Sequence, residues 1–202
     1  MKQKSNLLLI FRRTGQRRYA VEVKRDLYPD LEMNPAPGFD PLMPHDLMHL
    51  IVEAVLGLKR GIFGQLTAGG DAGTFHTALD SKAQRRIAVR TRKRGRKLLQ
   101  EGRNDCALSE KASFICWHEW RARSSSIDQQ KASKAMAEQA RLVRDVLKTN
   151  EIRALNTKKL DEICHHLDEL SSRWSRLQVG ESMAVRWPDL ALLSDPTALA
   201  QE

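Results

Sequence analysis

Two histidines and two carboxylates fall on one stripe of an apolar helix predicted over residues 44–56, which we call the motif helix. His45 and His49 are four residues apart, so both side chains point the same way and can chelate one cation. Glu53 lies one turn further along and is a third candidate metal ligand. Asp46 is a candidate catalytic residue, as a base or as a group that orients a ligand. The pattern indicates a divalent-metal site with hydrolytic chemistry.

The same stripe also has a structural interpretation, as the polar face of an amphipathic helix or as buried histidines that hold neighbouring loops. The absence of Lys, Arg and Gln between residues 44 and 58 favours a site. Against a protease, Asp46 is one methylene shorter than the glutamate of the His-Glu-x-x-His motif. Further ligands are available elsewhere: His76, Cys116, His118, Glu119, Cys164, His165, His166 and Asp168. Spacing alone does not choose among them.

The first third of the chain contains the elements that must position this stripe. Residues 6–12 and 18–25 read as the two strands of a β-hairpin, the second with alternating apolar side chains. Prolines over 29–41 predict an ordered loop laid across the sheet. Pro44 suits the first turn of the motif helix, and Gly57 suits its end.

A glycine-rich stretch follows over residues 57–73 and holds six of the eleven glycines. It lacks the Gly-Lys-Ser/Thr ending of a phosphate-binding loop and the Gly-x-Gly of a dinucleotide-binding fingerprint. We therefore interpret it as a loop that packs closely against the motif helix.

A basic segment over residues 82–103 carries ten basic residues and one acid, which equals the net charge of +9 of the whole chain. It is compatible with a helix interrupted at Gly95, and its few apolar positions predict exposure. Such a segment can neutralise phosphates or contact an acidic protein, although no aromatic side chain is interleaved for base stacking. The candidate nucleic-acid-binding residues are Arg85, Arg86, Arg90, Arg92, Lys93, Arg94, Arg96 and Lys97.

The remainder of the chain predicts helices and a returning strand. Amphipathic helices over 128–148 and 160–174 form either a helical hairpin or, across 132–174, a seam for a homo-oligomer. Residues 183–187 alternate like a strand, placed beside the N-terminal hairpin, and a loose tail begins at Asp189.

The predicted fold class is α+β, with a small antiparallel sheet made of the N-terminal hairpin and the C-terminal strand. The motif helix packs on this sheet, and the helical hairpin is inserted between its strands. The predicted organisation is an α+β core over 1–80, an exposed basic segment over 81–104, a helical region over 105–176, and a returning strand and tail over 177–202.

Length and amino-acid composition limit the class of protein. The 202 residues, 41% hydrophobic, suit one core with an accessory helical region. Three cysteines without a Cys-x-x-Cys pair predict a reduced, cytoplasmic setting. The N-terminal apolar run, residues 7–11, is too short for a signal peptide, and no stretch has the length of a membrane span.

Several motifs occur together in this chain. They are Pro35-Ala36-Pro37-Gly38-Phe39-Asp40, Pro44-His45-Asp46-Leu47-x-His49-x-x-Val52-Glu53, Gly61-x-Phe63-Gly64-x-Leu66-x-Ala68-Gly69-Gly70, and the ending Trp174-x-x-Leu177-x-x-Gly180-x-x-Met183-x-Val185-x-Trp187-Pro188. With these motifs the chain resembles a family of bacterial proteins of unknown function. The resemblance covers the first third and the end, and it implies a defined fold but no activity.

Two functional hypotheses follow from the sequence. The leading one is a metal site of His45, His49 and Glu53 with Asp46 as base or orienting group, in a protein of otherwise unknown function. The alternative is a non-enzymatic binding module that uses the basic segment for nucleic acid or an acidic partner. Neither the metal nor a substrate is identified by the sequence.

Overall fold

The computed structural model describes residues 6–77, 82–123, 138 and 140–193. Within them the chain has an α+β fold, as predicted, with a five-stranded antiparallel sheet in the order β3-β2-β1-β4-β5. The strands are β1 (Leu7–Gly15), β2 (Arg18–Arg25), β3 (Leu31–Ala36), β4 (Ser182–Trp187) and β5 (Leu192–Leu193).

The predicted hairpin and the returning strand are confirmed. Leu9 in the central strand β1 pairs with Val23 of β2 on one side and with Val185 of β4 on the other. Leu7, Leu9 and Phe11 alternate with partly exposed residues and are buried. The period-two pattern therefore places one face of β1 in the core.

The proline-rich stretch is not wholly a loop, because β3 pairs with β2 inside it. Leu31 and Met33 supply alternating buried side chains. β3 is an edge strand, where Pro35 can stand without an N–H to donate to a further strand. The outer edge is partly covered, since Glu32 and His76 exchange two backbone hydrogen bonds of 2.8 and 2.9 Å.

The helices are α1 (His45–Leu56), α2 (Ile62–Thr67), α3 (Lys82–Glu101), α4 (Arg103–Ala122), α5 (Thr149–Ala154) and α6 (Thr157–Trp174). α1 is the motif helix, preceded by Pro44 and ended by Gly57 in the left-handed conformation at φ +66°. α2 lies in the glycine-rich stretch that was predicted to be a loop. No described helix has the length and apolarity to cross a membrane.

One hydrophobic cluster joins the sheet to the helices. α1 packs against α4 and α6, while Tyr19 of β2 meets Trp174 of α6 edge-to-face at 5.8 Å. Phe63 of α2 lies 5.6 Å from Trp187 of β4. The helices thus cover one face of the sheet and bury α1 between them.

Of the two helices of the predicted helical hairpin, only the second, α6, is confirmed. Most of 128–148 lies outside the described residues, although 140–145 are helical. The apolar stripe of α6 is buried in this same chain: Leu160, Ile163, Leu167, Leu170 and Trp174. The prediction that this stripe forms a seam with a second copy is therefore wrong for α6. A 3-4 spacing of apolar residues is typical of a helix packed in its own core as well as of one packed on a partner.

Residues 82–101 of the basic segment form one continuous helix, α3, so Gly95 does not interrupt it. A Cβ at this position would overlap the Asp71 carboxylate, so glycine lets the loop over residues 69–71 approach α3. All eight candidate nucleic-acid-binding side chains are exposed, as predicted. The tail prediction was wrong for 190–193, where Leu190 is buried and β5 pairs with β4.

Candidate metal centre

His45 and His49 stand together on consecutive turns of α1, as the spacing predicted. Their Nε2 atoms are 3.2 Å apart. His49 is 1% exposed, whereas His45 is open to solvent. Burial lowers the pKa of His49 to about 4, and the charge of His45 acts in the same direction. His49 is therefore the neutral imidazole at pH 7, the form that binds a metal.

The third candidate ligand is Glu110, on α4. Its Oε2 lies 3.7 Å from Nε2 of His49. One ligand atom from each of His45, His49 and Glu110 can be chosen so that all lie within 4.8 Å of one another. α4 packs beside α1 and brings this carboxylate to the histidines across the helix interface. Sequence reasoning missed Glu110, because it is 61 residues from His49 and belongs to no local motif.

Glu53 lies behind the histidines instead of beside them. Its two carboxylate oxygens accept the backbone N–H groups of Ile62 (2.9 Å) and Phe63 (3.0 Å) at the start of α2. A Cβ on Gly61 would overlap this carboxylate, so the glycine makes room for it. The structure therefore places Glu53 outside the ligand group that sequence spacing predicted.

A serine on α4 links Glu53 to His49. Ser109 Oγ is 2.8 Å from Nδ1 of His49, and its hydroxyl donates to the Glu53 carboxylate. When the hydroxyl donates to Glu53, its oxygen accepts a hydrogen from Nδ1 of His49. With the proton on Nδ1, the lone pair of Nε2 is directed at His45 and Glu110. Ser113 Oγ, at 3.3 Å, is a second neighbour of Nδ1.

Burial dominates the acid–base properties of Glu53. It raises the pKa of this carboxyl group to about 7, against the lowering effect of the N–H groups of Phe63 and Ile62 and of the Ser109 hydroxyl. Glu53 is fully buried, while Glu110 is exposed on the surface of α4. Of the two glutamates, only Glu110 has access to solvent.

Asp46 faces the sheet. The Tyr19 hydroxyl contacts Asp46 Oδ2 and lies 2.5 Å from the carbonyl oxygen of Pro37. The hydroxyl has one hydrogen and two oxygen neighbours, so both contacts are hydrogen bonds when Asp46 carries a proton. Burial raises the pKa of Asp46, which favours that form. The role of Asp46 as a base stays a prediction, and this position favours a structural role.

A cavity of about 310 Å³ opens beside the histidines. Apolar side chains from three parts of the chain dominate its wall. The lining residues are Gly38, Phe39, Asp40, Met43, His45, Met48, His49, Glu110, Ser113, Phe114 and Trp117. The three candidate ligands therefore share a wall with a space large enough for a small molecule.

The other chemistry-bearing residues are not part of this group. Among the described residues, the possible metal-ligand group contains His45, His49 and Glu110 alone. His76 pairs with β3, and burial raises the pKa of the Cys116 thiol above its usual range. On α3, the Arg94 guanidinium lies over the Tyr28 ring at 4.9 Å.

No protein-family model matches this chain, and no curated protein and no solved structure has significant similarity to it. The resemblance to an uncharacterised bacterial family stays a prediction. The function must therefore be argued from the geometry of the site.

Proposed function

We propose that this protein binds a divalent transition metal through His45 Nε2, His49 Nε2 and the Glu110 carboxylate. The observation that carries the proposal is the convergence of these three ligand atoms, within 4.8 Å of one another, from two packed helices. Support comes from the Ser109–Glu53 pair, which orients His49 as outer groups orient histidines in known metal sites.

Two of the three ligand separations suit a small tetrahedral ion, and the third is within 4.8 Å. Two ligands about 2.0–2.1 Å from zinc at the tetrahedral angle are separated by about 3.3–3.4 Å. The two Nε2 atoms are 3.2 Å apart, and Glu110 is 3.7 Å from His49. Two imidazoles and one carboxylate favour zinc, cobalt or iron over magnesium and calcium, which prefer oxygen ligands.

Three protein ligands leave a coordination position for water or substrate, as in catalytic zinc sites. A metal there would polarise a carbonyl or lower the pKa of a bound water, so the finer proposal is a hydrolytic activity. This part of the proposal predicts metal-dependent cleavage of esters or amides that enter the cavity.

The metal proposal is tested by plasma mass spectrometry and calorimetric titration of protein purified without a histidine tag. Near-stoichiometric metal is expected in the wild type, with at least ten-fold weaker binding in His49→Ala and Glu110→Gln. Glu110 is exposed, so its substitution leaves the fold intact. Glu119→Gln on the same helix is the matched control. Wild-type protein that stays metal-free after exposure to zinc, cobalt and iron would overturn the proposal.

A second candidate function is nucleic-acid binding by α3. The observation that favours it is the concentration of exposed arginines and lysines on this helix, where the one ion pair among the described residues joins Lys97 to Glu101. Its probe is a labelled DNA oligonucleotide in fluorescence anisotropy, at about 50 and 200 mM salt.

Reversal of charge at Arg92, Lys93 and Arg96 together should abolish oligonucleotide binding, and wild-type affinity should fall steeply with salt. Reversal at Arg153, Lys158 and Arg173, on α5 and α6, changes the net charge by the same amount and is the control. Equal loss in both triple and control variants would assign the effect to charge in general and count against an α3 interface.

A further inference from the structure

We infer that the metal site acts on a small apolar molecule, about the size of a single ring, that carries one metal-coordinating head group. This inference rests on the proposed function and adds the class of ligand. It is argued from the lining, charge and size of the cavity beside His45 and His49.

The walls of the cavity are apolar and aromatic. Phe39, Met43, Met48, Phe114 and Trp117 line it together with the candidate metal ligands. Aromatic and methionine side chains bury apolar ligand surface, and methionine adapts to its shape. An apolar body therefore gains from leaving water here, while its polar head can reach the metal.

The charges of the lining exclude a strongly anionic ligand. Neither Lys nor Arg occurs among the lining residues that the structure describes, where the two charged side chains are the carboxylates Asp40 and Glu110. Asp40 is already engaged, since its Oδ1 accepts the N–H groups of Leu42 (2.8 Å) and Met43 (3.2 Å). A phosphate or a second carboxylate on the ligand would find no cation among these described lining residues besides the metal, since the Arg13 and Arg121 guanidinium groups stack on the Phe39 and Trp117 rings.

The size of the cavity suits a compact body. A volume of about 310 Å³ is at the lower end of small-molecule sites, which span about 300–1,000 Å³. Its aromatic side chains contact neighbours one turn further along α4: Trp117 lies 5.5 Å from Trp120, and Phe114 lies 4.4 Å from His118. Walls supported in this way favour one ring over a long flexible chain.

The test compares two hydroxamates, which chelate divalent metals through the same two oxygens. Metal binding is measured first by calorimetry with zinc alone. Benzohydroxamate and acetohydroxamate are then titrated into the zinc-loaded protein. Benzohydroxamate should bind at least ten-fold tighter than acetohydroxamate, beyond the preference of zinc in solution, because each buried methylene is worth about a factor of four.

Variants of the wall separate this inference from the metal proposal. Trp117→Ala and Phe114→Ala should each reduce the preference for benzohydroxamate to less than three-fold and leave zinc affinity unchanged. Tyr28→Ala removes a half-buried aromatic side chain outside the lining and is the matched control. Zinc binding with equal affinity for both hydroxamates would overturn the ligand class alone. Absence of zinc binding would overturn both proposals, and benzohydroxamate binding without zinc would overturn the role of the head group.

Discussion

At the scale of single residues, the chain of hydrogen bonds from Glu53 through Ser109 to His49 sets the chemistry of the site. Two backbone N–H groups hold the Glu53 carboxylate in place. The Ser109 hydroxyl lies between Glu53 and His49 and orients the His49 ring through Nδ1. In this arrangement the neutral imidazole carries its proton on Nδ1 and directs the lone pair of Nε2 toward His45 and Glu110. Glu53, which the spacing predicted to be a metal ligand, therefore acts on a candidate ligand through Ser109.

Removal of the linking hydroxyl tests this arrangement. Ser109→Ala should weaken zinc binding by about 10–100-fold, because His49 loses the group that fixes its tautomer and ring orientation. The affinity is measured by competition with a chelator of known strength. Ser113→Ala, which removes the more distant neighbour of Nδ1, should have a smaller effect. Equal affinities in wild type and Ser109→Ala would show that His49 needs no partner.

The raised pKa of Glu53 predicts a pH dependence of stability. The folded pKa is about 7 against 4.5 for the free side chain, so the folded state holds its proton to higher pH than the unfolded state. The contribution of Glu53 is therefore fully present below pH 4.5 and is lost as pH rises to 7.

Comparison with Glu53→Gln isolates this contribution, because both proteins carry His49, whose lowered pKa acts in the opposite direction. The free energy of unfolding of the wild type, relative to Glu53→Gln, should fall by up to about 3 kcal/mol between pH 4.5 and 7. Urea denaturation of metal-free protein across this range measures it. A difference that is constant or rises with pH would contradict the prediction.

At the scale of elements, the sequence predicts best where a local periodicity is tied to burial. The alternation in β1 and the 3-4 spacing in α6 both gave the correct structure, and Pro44 and Gly57 marked the bounds of α1. β3 was missed because prolines mask its short alternation, and an edge strand tolerates them. Glu110 could not be predicted, because its place depends on how α4 packs against α1.

Gly95 shows how tertiary contact reverses a local preference. In an isolated helix, alanine is more favourable than glycine by about 1 kcal/mol. A Cβ at Gly95, however, would overlap the Asp71 carboxylate and crowd the loop over residues 69–71, which packs against α3. Gly95→Ala should therefore destabilise the protein by about 1–3 kcal/mol, measured by chemical denaturation. Gln100→Ala, on an exposed position of the same helix, is the control, and stabilisation by Gly95→Ala would show that this contact is absent.

At the scale of the whole molecule, the cluster of basic residues and the candidate metal site lie on different helices. The basic residues lie on α3, whereas the candidate metal ligands lie on α1 and α4, next to a cavity whose described lining contains neither Lys nor Arg. The core that unites sheet and helices places His49 inside and Glu110 at the surface. Metal binding would therefore join a helix of the core to a helix whose carboxylate is solvent-exposed.

Because the ligands come from two helices, their geometry exists only in the folded chain, and a metal should stabilise that state. At a free zinc concentration 100 times the dissociation constant, linkage gives about 2.7 kcal/mol. For a chain of this size, that raises the Tm by about 5–10 °C. Calorimetric scans with and without zinc measure the shift. Glu110→Gln should remove most of it and Glu119→Gln none. An unchanged wild-type Tm under these conditions would mean that α1 and α4 are not joined by a metal.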